Sequence, residues 1–312
     1  MADQPDVSIA VITYLQEAFI EETLRGIALQ KFEGKVEVVI GDDASPDRTL
    51  DVIREKTKDF PFPVRILTSD KNLGMVGNWL RVLSACSGKY VAVCEGDDYW
   101  TDPEKIQRQF QTMESRPDAV MTWHKVDVSW EGVQRPYPYE EGFQECGMEE
   151  VILHHFIPTC SLMYRNGLIT SWPDWIYRAR GLDMVIEMML ASHGRVIQIP
   201  GTMGVYRQHP GGISKSAESL NLGIERQLEM LQHVDAYTQE RFSETIGVKM
   251  VDLARQQLKM PDNEGVLNLK KRWRFFKFIR YAHRFSHHPS FKDDLYKYMI
   301  PKTYQKIKGF TQ

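Results

Sequence analysis

From Ser8 to Cys94 the chain alternates short apolar runs with segments whose apolar positions recur every three or four residues. Ser8–Thr13, Val36–Ile40, Val64–Thr68 and Tyr90–Cys94 read as strands. Between them, Glu17–Leu29 carries Ile20, Leu24, Ile27 and Ala28 at helical spacing, and helical patterns also end near Lys58 and Ala85. Ser45 and Pro46 suit the start of the second helix, as cap and first-turn residue. Strand and helix in strict alternation predict an α/β fold with a mainly parallel sheet and crossover helices. Beyond it, Asp102-Pro103 opens a helix to about Glu114. Ala119–Val128, Ser161–Tyr164 and Arg195–Ile199 read as further strands, Asp183–Ser192 as a helix, and 135–147 as loop. From Ser216 onward the pattern is helical, which predicts a domain over 1–215 and a helical region over 216–312.

With 312 residues, 42% of them apolar and 26% charged, the chain can bury a large core without disulfides. No apolar run approaches the roughly 18–20 residues of a membrane-spanning helix. The first residues are polar and acidic, unlike a secretory signal, and the expected location is the cytoplasm. Cys86, Cys94, Cys146 and Cys160 form no Cys-x-x-Cys pair and read as free thiols. The net charge of −3 conceals an asymmetry. Residues 265–312 hold twelve basic side chains against Asp293 and Asp294, whereas the first 264 hold 27 basic against 40 acidic.

In an open parallel sheet, ligands sit at the carboxyl ends of the strands. Here those ends are acidic: Glu17 follows the first strand, Asp42-Asp43 the second, and Glu95-Gly96-Asp97-Asp98 the fourth. Carboxylates gathered at one edge repel unless a cation or a hydroxyl-rich ligand sits among them. A divalent ion such as Mg²⁺ or Mn²⁺, which prefers oxygen ligands and shares them with substrate phosphates, meets that need.

Several motifs occur in a set order: Val-Ile-Thr-Tyr and Glu17 within 11–17, Asp-Asp-Ala-Ser-Pro-Asp-Arg-Thr at 42–49, Asn72 with Gly74 and Asn78, and Glu-Gly-Asp-Asp-Tyr-Trp at 95–100. Gly181-Leu182-Asp183 and Tyr206-Arg207-Gln208-His209-Pro210-Gly211-Gly212 follow. Together, from about Val7 to Ser214, they resemble the family 2 glycosyltransferases. These are inverting enzymes with the nucleotide-sugar-binding GT-A fold, many of which build bacterial surface polysaccharides. The resemblance implies that Thr13, Tyr14 and Glu17 line the base and ribose pocket, that Asp43 accepts a hydrogen bond from the base, and that Asn72 and Gly74 belong to the same site. It makes Asp97 the metal ligand, places Glu95 near the ribose or a metal-bound water, and leaves Asp98 to support the metal or touch a sugar hydroxyl. Glu at 95 departs from the family's usual Asp-x-Asp.

The same resemblance makes Asp183 the base that deprotonates the acceptor hydroxyl, with capping of the following helix as the competing role. His209 is implied as a metal or phosphate ligand and Arg207 as a diphosphate contact, within a loop that closes over the donor. Arg81 reads as an exposed helical arginine. His154, His155, His287 and His288 read as structural. Trp172, Trp175 and Tyr177 read as packing residues, and Trp100 as either core or sugar platform.

At 100° per residue, Lys270, Arg274, Lys277, Arg280 and Arg284 fall on one side of a helix over 270–285, and Phe275, Phe276, Phe278, Ile279, Ala282 and Phe285 on the other. Such a helix suits the surface of an anionic bilayer, with packing on the acidic body as the alternative. Nucleic acid is disfavoured, because the acidic body repels phosphates. The expected reaction is metal-dependent transfer from a nucleotide-sugar, a UDP-sugar, to a glycan that is lipid-linked at the inner face of the membrane. A peptide acceptor, a sugar nucleotidyltransferase and a non-catalytic nucleotide-sugar binder are the alternatives. The nucleotidyltransferase lacks its Gly-rich phosphate loop after the first strand.

Overall fold

The computed structural model describes residues 4–138, 143–154, 156–179, 181–212 and 217–259. The basic segment 270–285, His155, His287 and His288 lie outside them. The chain divides into two compact units, Met1–Lys215 and Ser216–Gln312.

The first unit begins with three βα repeats: β1 (Val7–Thr13), α1 (Ile20–Ala28), β2 (Val36–Asp42), α2 (Thr49–Lys56), β3 (Val64–Leu67) and α3 (Gly74–Ala85), leading into β4 (Tyr90–Glu95). All seven residues of β1 are buried, as expected for a central strand covered on both faces. Strands β2 and β4 flank β1 in parallel, and β3 lies outside β2. Ile20, Leu24 and Ile27 of α1 are fully buried with Ile9 and Val11 of β1, and each such side chain contributes about 1.5–3 kcal/mol relative to exposure.

The second half of the unit holds β5 (Tyr99–Trp100), α4 (Lys105–Ser115), β6 (Ala119–Trp130), β7 (Val133–Pro136), β8 (Glu145–Cys146), α5 (Met148–His154), β9 (Met163–Arg165), α6 (Leu182–Ala191) and β10 (Arg195–Gln208). Among the described residues the sheet runs β3-β2-β1-β4-β9-β6-β10-β5, with β7 on β6 and β8 on β10. Strand β9 is antiparallel to both β4 and β6, and β10 returns parallel to β6. The fold is α/β with a largely parallel centre. The second unit contains α7 (Ala217–Tyr237) and α8 (Ser243–Lys259). Among the described residues no helix is long and apolar enough to cross a membrane.

Several boundaries differ from expectation. Residues expected as loop over 135–147 include the end of β7 and all of β8. Helix α2 starts at Thr49 rather than at Ser45-Pro46, because the Ser45 hydroxyl is engaged elsewhere: it accepts the Leu15 N–H at 3.1 Å. Strand β10 does not stop at Ile199. It bulges between Ile199 and Thr202 and runs to Gln208, so Tyr206 and Arg207 stand on a strand rather than in a closing loop.

Candidate active site

The carboxyl ends of β1, β2 and β4 form one edge of the sheet. At β1, Thr13 is buried and its Oγ1 has no hydrogen-bond partner among the described residues, while Tyr14 is 42% exposed. Glu17 Oε2 accepts the Arg48 N–H at 2.8 Å and the Glu17 N–H donates to Asp47 Oδ2 at 3.2 Å. The carboxylate therefore braces the loop before α2.

At β2, the Asp43 N–H donates to the Thr13 carbonyl at 3.1 Å, joining the two strand ends. The loop after β3 then orients Asp43. The Leu73 N–H donates to its Oδ1 at 2.7 Å, Asn72 Nδ2 donates to its carbonyl at 3.2 Å, and Asn72 Oδ1 accepts the Gly74 N–H at 2.8 Å. Asn72 and Gly74 thus act on Asp43, and Tyr14 and Leu15 after β1, Leu73 before α3 and Met75 in its first turn are exposed large side chains. Arg81 is not the exposed arginine expected from the sequence. Its guanidinium donates to the carbonyls of Thr68 at 2.9 Å and Asp42 at 3.0 Å, and to Asn78 Oδ1 at 2.6 Å, tying β2 to the segment after β3. Asn78 is buried and donates to the Gly41 carbonyl.

At β4 the chain turns through Gly96, Asp97 and Asp98, with the Asp98 N–H on the Glu95 carbonyl at 3.0 Å. A Cβ on Gly96 would lie 2.3 Å from Gln16 Oε1 and 2.9 Å from Thr13 Cβ. Only glycine lets this turn press against the end of β1. Asp98 is buried, with Oδ1 accepting the Arg207 N–H at 2.8 Å. Burial, then the neighbouring Asp97 carboxylate, pushes its carboxyl well above the usual range. Glu95 is raised in the same way by burial and then by Asp98, Asp97, Asp183 and Glu187. The start of α6, with Asp183 and Glu187, therefore lies within electrostatic range of the acidic turn.

Gly181, in the left-handed conformation at φ 69°, leads the chain into α6. Among the described residues no side-chain cap hydrogen bond is made at the start of this helix, and Asp183 stands in its first turn. Asp183 is partly exposed. Glu187, one turn further along, is fully buried and was missed in the sequence, where its four-residue spacing from Asp183 was the available signal.

At the end of β10, His209 Nε2 lies 3.0 Å from Asp97 Oδ2, and its ring leans on Phe19 at 4.6 Å. Arg207 does not reach outward. Its Nη1 donates to the Asp97 carbonyl at 2.5 Å, its Nη2 pairs with Glu22, and Phe19 and Tyr99 lie on its guanidinium at 4.9 Å each. Trp100 is core: it is buried, and its Nε1 donates to the Cys160 carbonyl at 2.7 Å. Trp172 donates to Ser84 Oγ at 2.9 Å, while Tyr177 is 57% exposed.

The Asp97 and His209 atoms suit a divalent ion. Two adjacent ligands of an octahedral ion with bonds of about 2.1 Å stand about 3.0 Å apart. Burial and then the neighbouring carboxylates raise Glu95 and Asp98, and a cation would offset the repulsion among them. Among the described residues no group of three or more His, Cys, Asp or Glu side chains is arranged to hold a metal by itself. An ion held by this pair would complete its shell with water and substrate oxygens.

A mannosyltransferase from Pyrobaculum calidifontis, solved with GDP-Man and Mn²⁺, is similar over 91% of this chain and 87% of its own, with a TM-score of 0.58 at 15% identity. Staphylococcus aureus TarS 1–349, solved with UDP-GlcNAc, aligns over 92% of this chain and 75% of its own, with a TM-score of 0.59 at 19% identity. In sequence, an uncharacterised Mycobacterium tuberculosis protein is 36% identical over 213 residues, 68% of this chain and 61% of its own. The chain thus spans about three fifths of the length of such curated relatives. The sequence model of glycosyl transferase family 2 matches residues 8–172, from the first strand through the acidic turn and β9, and so the chain belongs to that family.

Proposed function

We propose that this chain is a metal-dependent inverting glycosyltransferase that moves a sugar from a UDP-sugar to a hydroxyl of a glycan. The observation that carries the reading is the His209–Asp97 pair at 3.0 Å, at the sheet edge that also bears Asp43. Asp43, oriented by the Leu73 N–H, offers its carboxylate to the imide N–H of uracil. Thr13, Tyr14 and Glu17 line the base and ribose pocket. Glu95 lies toward the ribose side of the acidic turn. Asp97 and His209 would hold Mn²⁺ or Mg²⁺, which supplies charge neutralisation to the departing diphosphate.

Asp183 accepts the acceptor hydroxyl's proton as that oxygen bonds to the anomeric carbon from the face opposite the diphosphate. The bond from the anomeric carbon to the phosphate oxygen breaks, and its electron pair leaves with the nucleoside diphosphate. Arg207 is spent on Glu22 and the Asp97 carbonyl, and Asp98 on the Arg207 N–H, so both support the site from behind.

The acceptor reading, a lipid-linked glycan in surface polysaccharide synthesis at the inner face of the cell membrane, is supported by the family resemblance and by the basic aromatic stretch 270–285. Turnover of UDP-sugars with glycan acceptors tests the reading. Asp183→Asn should bind UDP like wild type while losing turnover by about two to four orders of magnitude, the usual worth of a general base. Full turnover in Asp183→Asn would remove Asp183 from the mechanism.

A further inference from the structure

The turn that carries Asp97 is pinned at three successive carbonyls. Thr23 Oγ1, from α1, lies 2.9 Å from the Gly96 carbonyl and 2.6 Å from the Asp98 carbonyl, which share its one hydroxyl proton. The carbonyl between them, that of Asp97, accepts from Arg207 Nη1 at 2.5 Å. Arg207 comes from β10, and its own position is set by Glu22, the residue beside Thr23. Glu22 Oε2 takes Arg207 Nη2, while Glu22 Oε1 pairs with Arg25 at 2.9 Å. With Phe19 and Tyr99 against the guanidinium, its fork is fixed in plane and direction. Phe19 also carries the His209 ring, so one helix start supports both members of the pair.

We propose that Glu22, acting through Arg207, is a positioning residue that fixes the Asp97 backbone and thereby the 3.0 Å spacing between Asp97 and His209. The proposal rests on the metal reading of that pair. A carboxylate whose backbone is held at three carbonyls has fewer orientations to lose when an ion binds, and outer-shell partners of metal ligands typically set 10- to 100-fold of metal affinity. Glu22 is partly solvent-exposed on a helix surface, so its amide variant keeps the shape and removes the charge that holds Arg207.

The test compares wild type, Glu22→Gln and Glu21→Gln. Glu21, its neighbour on α1, pairs with Lys56 at 2.7 Å instead. Mn²⁺ affinity is read by electron paramagnetic resonance in the presence of UDP, and exchange of the Arg207 amide, which is bound to Asp98 Oδ1, is followed without metal. Glu22→Gln should weaken Mn²⁺ binding by about 10- to 100-fold and speed Arg207 amide exchange, while Glu21→Gln matches wild type in both. Wild-type behaviour of Glu22→Gln in either readout overturns the proposal, as does an equal loss in Glu21→Gln. A wild type that binds no Mn²⁺ with UDP defeats the metal reading itself, and amide exchange then decides the positioning role alone.

Discussion

His209 Nε2 stands 3.0 Å from Asp97 Oδ2 across 112 residues of sequence. The contact closes the sheet edge, because it joins the turn after β4 to the end of β10, and it joins the two side chains best placed to share one ion. Removing the imidazole should leave nucleotide contacts at Asp43 intact. His209→Ala should lower Mn²⁺ affinity by at least about tenfold, the lower end of what even an outer-shell partner is worth, with UDP affinity in chelator unchanged. Calorimetric titration of metal and of UDP separately measures both.

Base recognition should be re-targeted at Asp43. In Asp43→Asn the amide oxygen can still take the Leu73 N–H, while the other arm changes from acceptor to donor. A hydrogen bond to a charged group is worth about 1.5–3 kcal/mol, so UDP should bind about ten- to a hundredfold more weakly. CDP, whose ring nitrogen is an acceptor at the matching position, should lose less or gain. Equal losses for both nucleotides would place the base elsewhere.

The turn should tolerate no side chain at Gly96. The Cβ of Gly96→Ala meets Gln16 and Thr13 at 2.3 and 2.9 Å, and such overpacking typically costs about 1–3 kcal/mol. Urea unfolding should show that loss, and donor affinity should fall with it because the turn is pushed from β1.

Lys105 gives a pH-dependent prediction. It is fully buried at the start of α4 with its Nζ 3.8 Å from the Trp100 ring centre, and burial pulls its amine down to about 7. From pH 7 to about 10.4, the ordinary lysine value, the unfolded chain holds a proton that the folded chain has released. Stability attributable to this residue therefore rises with pH across that window, by about 1.4 kcal/mol per unit, and is lowest at and below pH 7. Lys105→Met should be more stable than wild type near pH 7, and the gap should narrow toward pH 10. A gap that does not change with pH would contradict the buried neutral amine.

The first four strands were legible because their apolar runs are bounded by polar turns, and those turns carry the acidic residues gathered at the sheet edge. The continuation of β10 was not. Pro200-Gly201 reads as a chain break, yet the strand absorbs the pair as a bulge and goes on to Arg207. Strand β5 has only Tyr99 and Trp100, too short for any periodicity. At the site, Asp43, Asp97, Asp183 and His209 were picked out by their motifs. The roles of Arg207 and Asp98 were less visible, because the partners that turn them inward are each other, Glu22 and the Asp97 carbonyl. The Arg207–Glu22 pair spans 185 residues, and nothing local announces it. Arg81 looks like a surface residue on its helix until the carbonyls of Thr68 and Asp42 converge on it.

This sheet edge is expected to bind a nucleoside diphosphate together with a divalent ion held by Asp97. Thermal unfolding of wild type and Asp97→Ala with UDP, in Mn²⁺ or in chelator, tests it directly. At a hundredfold excess over Kd, a ligand that binds only the folded chain adds about 2.7 kcal/mol of stability. Wild type should show a UDP shift that is larger in Mn²⁺ than in chelator, and Asp97→Ala should show only the chelator-sized shift in both. A shift independent of Mn²⁺, or one that survives unchanged in Asp97→Ala, would contradict the account.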